Sequence, residues 1–209
     1  MSEEIAGKIR AGLRAVGQKG LKDEAADRLA IYVSLILRWN ARVNLTAVRD
    51  EEGIVSRHII ESIIVSRNLP ETVRALLDFG SGAGLPGIPI AICRPEIEVT
   101  LAESQNKKAA FLAEAVRVLG LRAKVHAGRA EELRPGFDCV TLRAVDRMAA
   151  AVRAGAALVS AGGWLALMTT EGDLPKLKAA AGKSFNWMEP ESLAGSEKRI
   201  LALGQAPPA

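Results

Sequence analysis

The sequence predicts an α/β fold: a Rossmann-like open sheet carrying an N-terminal helical extension. Three observations predict it. From residue 75 onward, short apolar runs alternate with amphipathic stretches, the pattern of a mostly parallel sheet with crossover helices. Before residue 70, apolar residues recur at helical spacing instead. Between the two regions, Leu76-Leu77-Asp78-Phe79 runs into glycines at 80, 82, 84 and 87 and then a second apolar segment. Glycines so closely set mark a tight strand-to-helix turn. Such a turn offers a ligand bare backbone and the free N–H groups of a helix start.

The elements follow in order. Ile5, Ile9, Leu13 and Val16 share one helical stripe and Leu29, Val33 and Ile36 another, with Gly17 and Gly20 between them. Trp39 to Thr46 ends the second helix in residues that favour caps and turns. A third helix is expected over 53–69, with Val55, Ile59 and Ile63 on one face. Its His58 can be read as a contact to ligand or substrate, but a histidine alone and without an evident partner is more often a structural hydrogen-bonder. Strand 75–79 then leads to helix 86–93, and strand 97–102 to helix 105–119, which Gly120 ends. A short strand over 123–127, a brief helix near 128–133 and a strand over 137–142 come next. An Ala-rich helix over 146–159, a turn at Gly162-Gly163, a strand over 164–169 and a helix near 174–182 follow. Two late strands, near 184–189 and 198–203, complete the sheet. The expected organisation is a helical extension (1–70) packed on a core (71–204) as one structural domain, with a disordered tail at 205–209.

A hydrophobic share of 49% and a charged share of 25% are ordinary for a globular chain and argue against disorder. The net charge of +4 is compatible with a polyanionic partner. Lys8, Arg10, Arg14, Lys19, Lys22 and Arg28 make the N-terminal region basic, readable either as an RNA-facing surface or as solvated helix faces. Cys93 and Cys139 sit in apolar segments as buried thiols, and no Cys or His spacing suggests zinc, so no metal is expected. No apolar run has membrane-spanning length. Met1-Ser2-Glu3-Glu4 opens acidic with no apolar stretch behind it, so a cytoplasmic location is expected.

The glycine turn admits two cofactors. Gly82 to Gly87 fits the G-x-G-x-x-G dinucleotide pattern, and Gly80 to Gly84 fits the G-x-G-x-G loop of S-adenosylmethionine enzymes equally well. Glu103 ends the next apolar run, 19 residues beyond Gly84, where an acid holds ribose hydroxyls. Both cofactors carry an adenosine ribose, so Glu103 does not choose between them. Asp78 leans toward S-adenosylmethionine, because a carboxylate there suits a cationic methionine end and would repel a pyrophosphate.

Several segments together resemble one family: WNARVNLTAVRD (39–50), SRHIIES (56–62), LDFGSGAGLPGIPIAICRPE (77–96), LAESQNKKAAFL (101–112), GRAEEL (128–133) and TLRAV (141–145). Running in order from about residue 25 to about 170, they resemble the bacterial small-subunit ribosomal RNA methyltransferase G family, also called glucose-inhibited division protein B. The resemblance implies a class I S-adenosylmethionine-dependent methyltransferase sheet. It also implies methyl transfer to N7 of a guanine in 16S rRNA of the small ribosomal subunit. It places Gly80 and Leu85 in the cofactor loop, with Gly82 and Gly84 between them. Glu103 is placed on the ribose and Ala130-Glu131 on the adenine side. Arg143 falls beside the cofactor and the substrate entrance, as a positioning group for the reaction. These positions follow strand ends, where open α/β sheets bind ligands.

The chain also departs from that family. Met168 stands where the fifth strand usually carries a lysine, and Glu197 to Leu201 lacks a following basic residue. Two other readings remain open here: an NAD-dependent oxidoreductase, from residues 82–87, and a non-catalytic RNA-binding or ribosome-assembly factor, toward which Met168 leans. Under the methyltransferase reading, guanine N7 already has its acceptor lone pair and needs no deprotonation. Alignment then suffices for catalysis, in keeping with a chain that shows no catalytic triad. RNA grip is expected from the N-terminal helices and the Lys107, Lys108, Arg117 side. Aromatics at 4% are too few for an extensive base-stacking platform. A monomer is expected.

Overall fold

The apolar runs become strands because helices cover both of their faces. In the computed structural model, which describes residues 2–193 and 198–209, β1 (Ala75–Phe79) and β4 (Phe137–Arg143) form the buried centre of the sheet. They pair in parallel with each other, with β2 (Glu98–Ala102) and β3 (Ala123–His126) on one side and β5 (Val159–Thr170) on the other. The parallel order is β3-β2-β1-β4-β5. Beyond β5 the sheet turns antiparallel: β8 (Arg199–Gln205) lies against β5, and β6 (Asn186–Trp187) and β7 (Glu191–Ser192) both pair with β8. The strand order reverses between β1 and β4. A crevice therefore opens at the carboxyl ends of these strands, the place where doubly wound sheets bind ligands.

Alternation along each strand splits the core in two. Leu76, Val99, Leu101, Cys139 and Ala166 face one side, against Ile88 of α5 (Gly87–Cys93) and Phe111 and Leu112 of α6 (Asn106–Val118). The N-terminal helices α1 (Ser2–Ala15) and α2 (Asp23–Asn40) belong to this same packed cluster. Leu77, Phe79, Val140, Leu142 and Leu165 face the other side, against Val152 of α7 (Met148–Ala156) and Leu177 of α8 (Leu174–Ala181). The predicted stripes hold: Ile9, Leu13, Leu29, Val33 and Ile36 are fully buried. Each such side chain contributes about 1.5–3 kcal/mol of hydrophobic stabilisation, enough in sum to keep the extension seated on the sheet. Val16 lies past the end of α1 and is 37% exposed.

The third helical stretch starts earlier than expected. Asp50 caps α3 (Glu51–Ile54) by accepting the Gly53 N–H on Oδ1 at 2.7 Å. A π-helical segment, Val55–Ile60, then leads into α4 (Glu61–Asn68). The π-turn inserts one residue into the helical repeat, a device frequent at functional sites. Here it carries Arg57 and His58.

Four further expectations change. The Ala-rich helix begins at Met148 rather than 146, because Arg147 takes a left-handed conformation (φ 52°). Gly162-Gly163 is a bulge inside β5 and not a turn before it: the register jumps from Phe137–Val159 to Cys139–Trp164. The tail is partly tied down, since Gly162 N–H donates to Pro207 O and Ala206 N–H to Gly163 O, both at 2.8 Å. Strand β7 had no sequence signal, being only two residues long. Of the readings above, Met1 and Glu197 lie outside the described residues. Cys139 is buried and Cys93 half-buried, both as free thiols. No helix among the described residues is long and apolar enough to cross a membrane.

Candidate active site

β1 delivers the glycine loop to the crevice, and neighbouring elements brace it. Ser81 N–H donates to Ala102 O at 2.9 Å, tying the loop to the end of β2. Glu103 is 6% exposed and accepts the Gly82 N–H on Oε2 (2.9 Å) and the Gln105 N–H on Oε1 (2.7 Å). Each carboxylate oxygen keeps a second acceptor direction, so Glu103 can also receive ribose hydroxyls. From the helical extension, the buried Tyr32 hydroxyl donates to Ala83 O at 2.5 Å. The glycines divide the labour. A β-carbon on Gly84 (φ 85°) would meet Ile88 Cδ1 at 2.6 Å, so this glycine lets α5 pack close. One on Gly82 (φ 58°) would meet nothing nearer than 3.9 Å, so its backbone faces open space.

That space is a cavity of about 460 Å³ at the carboxyl ends of the central strands. Its size suits a small-molecule cofactor. Of the residues singled out from sequence, Gly80, Gly82, Leu85, Glu103 and Arg143 line it; Asp78, Gly84, Ala130 and Glu131 are not among its lining residues. Asp78 is 1% exposed and works inward: Thr141 Oγ1 donates to its Oδ1 at 2.9 Å and the Gly87 N–H to its Oδ2 at 3.3 Å. Asp78 thus joins β1, β4 and the start of α5. Burial pushes its carboxyl up to about 6, against the hydrogen bonds that favour ionisation. Ala130 and Glu131 lie in a short 3₁₀ turn (Ala130–Glu132) after β3; Ala130 is buried, and Glu131 is exposed and ion-paired to Arg129 at 2.7 Å.

Arg143 ends β4 and is held from the helical side. Its Nη2 donates to Arg57 O (3.0 Å), His58 Nδ1 (2.8 Å) and Glu61 Oε2 (3.3 Å). A guanidinium can only donate, so Nδ1 of His58 is the acceptor and its proton sits on Nε2. That Nε2–H donates to Thr46 Oγ1 at 2.7 Å. Burial, and next the Arg143 charge, lower the His58 pKa to about 4, which keeps the ring neutral near pH 7. His58 is thus the structural hydrogen-bonder expected from sequence, although it also lines the cavity. Thr46 belongs to a loop that Asn40 fastens with every group it has. Asn40 Oδ1 accepts from Leu45 N–H (2.9 Å) and Thr46 N–H (3.1 Å), while Nδ2 donates to Thr46 O and Val48 O (both 3.0 Å).

Sequence reasoning missed Tyr32, Asn40, Thr46 and Glu61 as supports of the site. The Asn-rich stretch after α2 signalled a turn, but nothing in it showed which backbone groups Asn40 meets. Tyr32 has the helical spacing of a core residue and gives no sign of its hydroxyl partner.

With this geometry in view, comparison with known proteins is specific. Residues 25–192 match the family model described as rRNA small subunit methyltransferase G. A Neisseria meningitidis (serogroup A) protein named Ribosomal RNA small subunit methyltransferase G is 42% identical over 163 residues, 77% of this chain and 78% of its own. A Xanthomonas oryzae protein of the same name is 39% identical over 184 residues, 87% of this chain and 84% of its own. Among solved structures, the mitomycin 7-O-methyltransferase MmcR aligns with a TM-score of 0.64 at 15% identity, covering 98% of this chain and 67% of that one. A protein from Pyrococcus horikoshii aligns with a TM-score of 0.59 at 12% identity, covering 72% of this chain and 64% of that one. At these identities the structures speak to the fold alone, that of class I methyltransferases. The sequence relatives speak to more: a glycine loop, a strand-end carboxylate and a buried arginine at a sheet's switch point, in a chain so matched, mean that it belongs to the rRNA small subunit methyltransferase G family.

Proposed function

We propose that this methyltransferase moves a methyl group from S-adenosylmethionine to N7 of a guanine in 16S rRNA of the small ribosomal subunit. The observation that carries the reading is the cavity where Gly80, Gly82, Leu85, Glu103 and Arg143 converge, in a chain of this family. When bound, S-adenosylmethionine supplies an electrophilic methyl whose bond to sulfur breaks, the electron pair staying on sulfur, as the N7 lone pair bonds to carbon.

The chain's own residues bind and orient. Glu103 accepts the ribose hydroxyls, and the bare backbone at Gly80 and Gly82 admits the cofactor to close range. Ala130 and Glu131 keep the adenine side in this proposal, because they follow β3, beside the strand that leads to Glu103. Asp78 contributes by holding the loop against α5, and its charge lies behind the loop. No residue is asked to remove a proton, since N7 carries an acceptor lone pair. The fixed network of Arg143, His58 and Thr46 serves orientation, which by itself can lower a barrier by several kcal/mol.

The RNA is held through phosphates. Lys8, Arg10, Arg28 and Arg38 are engaged in ion pairs with Glu51, Asp23, Glu24 and Glu114. Lys107, Lys108 and Arg117 of α6 carry no ion pair among the described residues, and Lys108 lines the cofactor cavity. Arg14, Lys19 and Lys22 of the N-terminal region likewise carry no ion pair among the described residues, so both sides offer phosphate grips, and affinity should fall steeply with salt. Neither the oxidoreductase nor the non-catalytic alternative gains support from the Neisseria and Xanthomonas relatives, both of which carry a methyltransferase name.

The test is transfer of radiolabel from S-adenosylmethionine to small subunits, and to their deproteinised RNA, from a strain lacking the gene. Mapping of the labelled base follows. Label on guanine N7, lost with Arg143→Ala, is the expected result. Binding of NADH with no binding of S-adenosylhomocysteine would overturn the reading.

A further inference from the structure

Arg143 and Ala144 belong to the walls of two cavities. One is the cofactor cavity; the other, of about 330 Å³, is lined also by Glu61, Met168, Asp173 and Arg199. We propose that this second cavity receives the target base as guanine, with Met168 against its face and Arg143, Arg199 and Asp173 reading its edges. The proposal deepens the methyl-transfer reading and rests on it.

Position comes first. A base to be methylated must reach van der Waals contact with the donated methyl, so its pocket has to share a wall with the cofactor cavity. Arg143 and Ala144 supply that shared wall. The chain there is bent in a way that costs energy. Ala144 (φ 48°) and Arg147 (φ 52°) are both left-handed without being glycine. Each such residue costs roughly 1–2 kcal/mol, and strain of this kind collects at ligand clamps.

The chemistry of the walls then names the ligand. Glu61 is 1% exposed and holds two arginines at once: Arg143 Nη2 lies 3.3 Å from Oε2, and Arg199 Nη2 lies 2.8 Å from Oε1. The second contact is an ion pair without hydrogen-bond alignment. Burial raises the Glu61 carboxyl pKa, and Arg143 and Arg199 oppose that shift. One carboxylate from α4 therefore fixes two guanidiniums, one at the end of β4 and one at the start of β8. Arg143 Nη1 is buried with no hydrogen-bond partner among the described residues, a donor whose acceptor is still to come. Guanine offers its O6 acceptor to such donors and leaves the N7 lone pair free for the methyl. Adenine would turn its N6 donor toward them, donor against donor. Asp173, exposed at the start of α8 and held by the Thr170 hydroxyl at 2.8 Å, can accept from the N–H groups of guanine's pairing edge. Met168 stands opposite Arg143 in the β4–β5 register and is 6% exposed. Its polarisable thioether suits an aromatic face, a role that a lysine's charge does not fill.

The test uses 6-thioguanosine 5′-monophosphate as a photocrosslinking probe on the full chain with S-adenosylhomocysteine present, the adducts being mapped by mass spectrometry. Adducts on the peptides carrying Met148, Met168 or Asp173 are expected, with guanosine monophosphate displacing the probe about tenfold better than adenosine monophosphate. Asp173→Asn keeps an oxygen to accept the Thr170 hydroxyl but removes the charge; it should lower both crosslinking and kcat/KM for RNA about tenfold, with S-adenosylhomocysteine affinity unchanged. Met168→Ala serves as the second variant, with the same expected split. Adducts elsewhere, equal displacement by both nucleotides, or wild-type RNA kinetics in both variants would overturn the assignment. Crosslinks at the expected peptides with no methyl incorporated by the wild-type enzyme would overturn the methyl-transfer reading while supporting the guanine pocket.

Discussion

Tyr32→Phe asks whether the helical extension holds the cofactor loop or merely lies against the sheet. The substitution removes one oxygen and keeps the ring. Tyr32 is fully buried, and its hydroxyl is the group 2.5 Å from Ala83 O, on a loop residue itself 5% exposed. Burial, and next the nearby Asp78, hold the phenol pKa well above its usual value, so the group stays a donor near neutral pH. Phe leaves that carbonyl buried and unpaired, which costs about 1–3 kcal/mol. In urea unfolding this appears as a lower midpoint at unchanged slope. The part of the cost borne by the loop in its ligand-ready shape appears in S-adenosylhomocysteine affinity, about tenfold for each 1.4 kcal/mol. Calorimetric titration and urea melts of the same preparation measure both. A variant with wild-type midpoint and wild-type affinity would refute the coupling and leave the extension a passive cover.

Further consequences follow from the same network. Asn40→Ala deletes four hydrogen bonds to the loop at 45–48 and should cost roughly 2–6 kcal/mol by urea melt, with weaker cofactor binding because that loop lines the cavity. Gly84→Ala forces a β-carbon against Ile88 and Leu112 at a left-handed position, so its melting temperature should fall where that of Gly7→Ala, which meets no neighbour, does not. The Asp78 carboxyl, raised from 3.8 to about 6 by burial, favours the fold when protonated. Its contribution is full below the unfolded value and is lost as pH rises through about 6, by about 3 kcal/mol in all. His58 acts in the opposite sense: lowered from 6.5 to about 4, its contribution is full above 6.5 and is lost as pH falls through about 4. The two slopes partly cancel in the wild type. Stability against pH for Asp78→Asn should therefore climb more steeply from pH 4 to 6 than the wild-type curve, and parallel curves would refute the buried ionisation.

Much of the site was legible because its signals are local. A strand running into Gly80, Gly82 and Gly84 needs backbone angles that glycine alone adopts freely, and this can be read from a few adjacent letters. Glu103 was legible by its distance from that turn, since one crossover helix and one strand have nearly constant length. Asp78 shows where this reasoning stops. Its position at a strand end was evident, but the side it faces was settled by Thr141 and the Gly87 N–H, residues of two other elements.

By itself, then, the sequence determined the alternation of strand and helix, the glycine turn, the strand-end carboxylate beside it and the family. These rest on periods of two and of 3.6 residues and on spacings within one unit of the fold. Only the tertiary structure decided that Tyr32 reaches Ala83 across 51 residues of chain, and that Arg143 meets His58 and Glu61 across more than 80. It also decided that Glu61 binds Arg199, and that the last residues pair with the Gly162 bulge. A side chain's class and spacing say which face it occupies. Which polar group it finds there depends on how whole elements dock, and docking is governed by burying apolar surface, which is non-directional and carries no record of the hydrogen bonds it brings together.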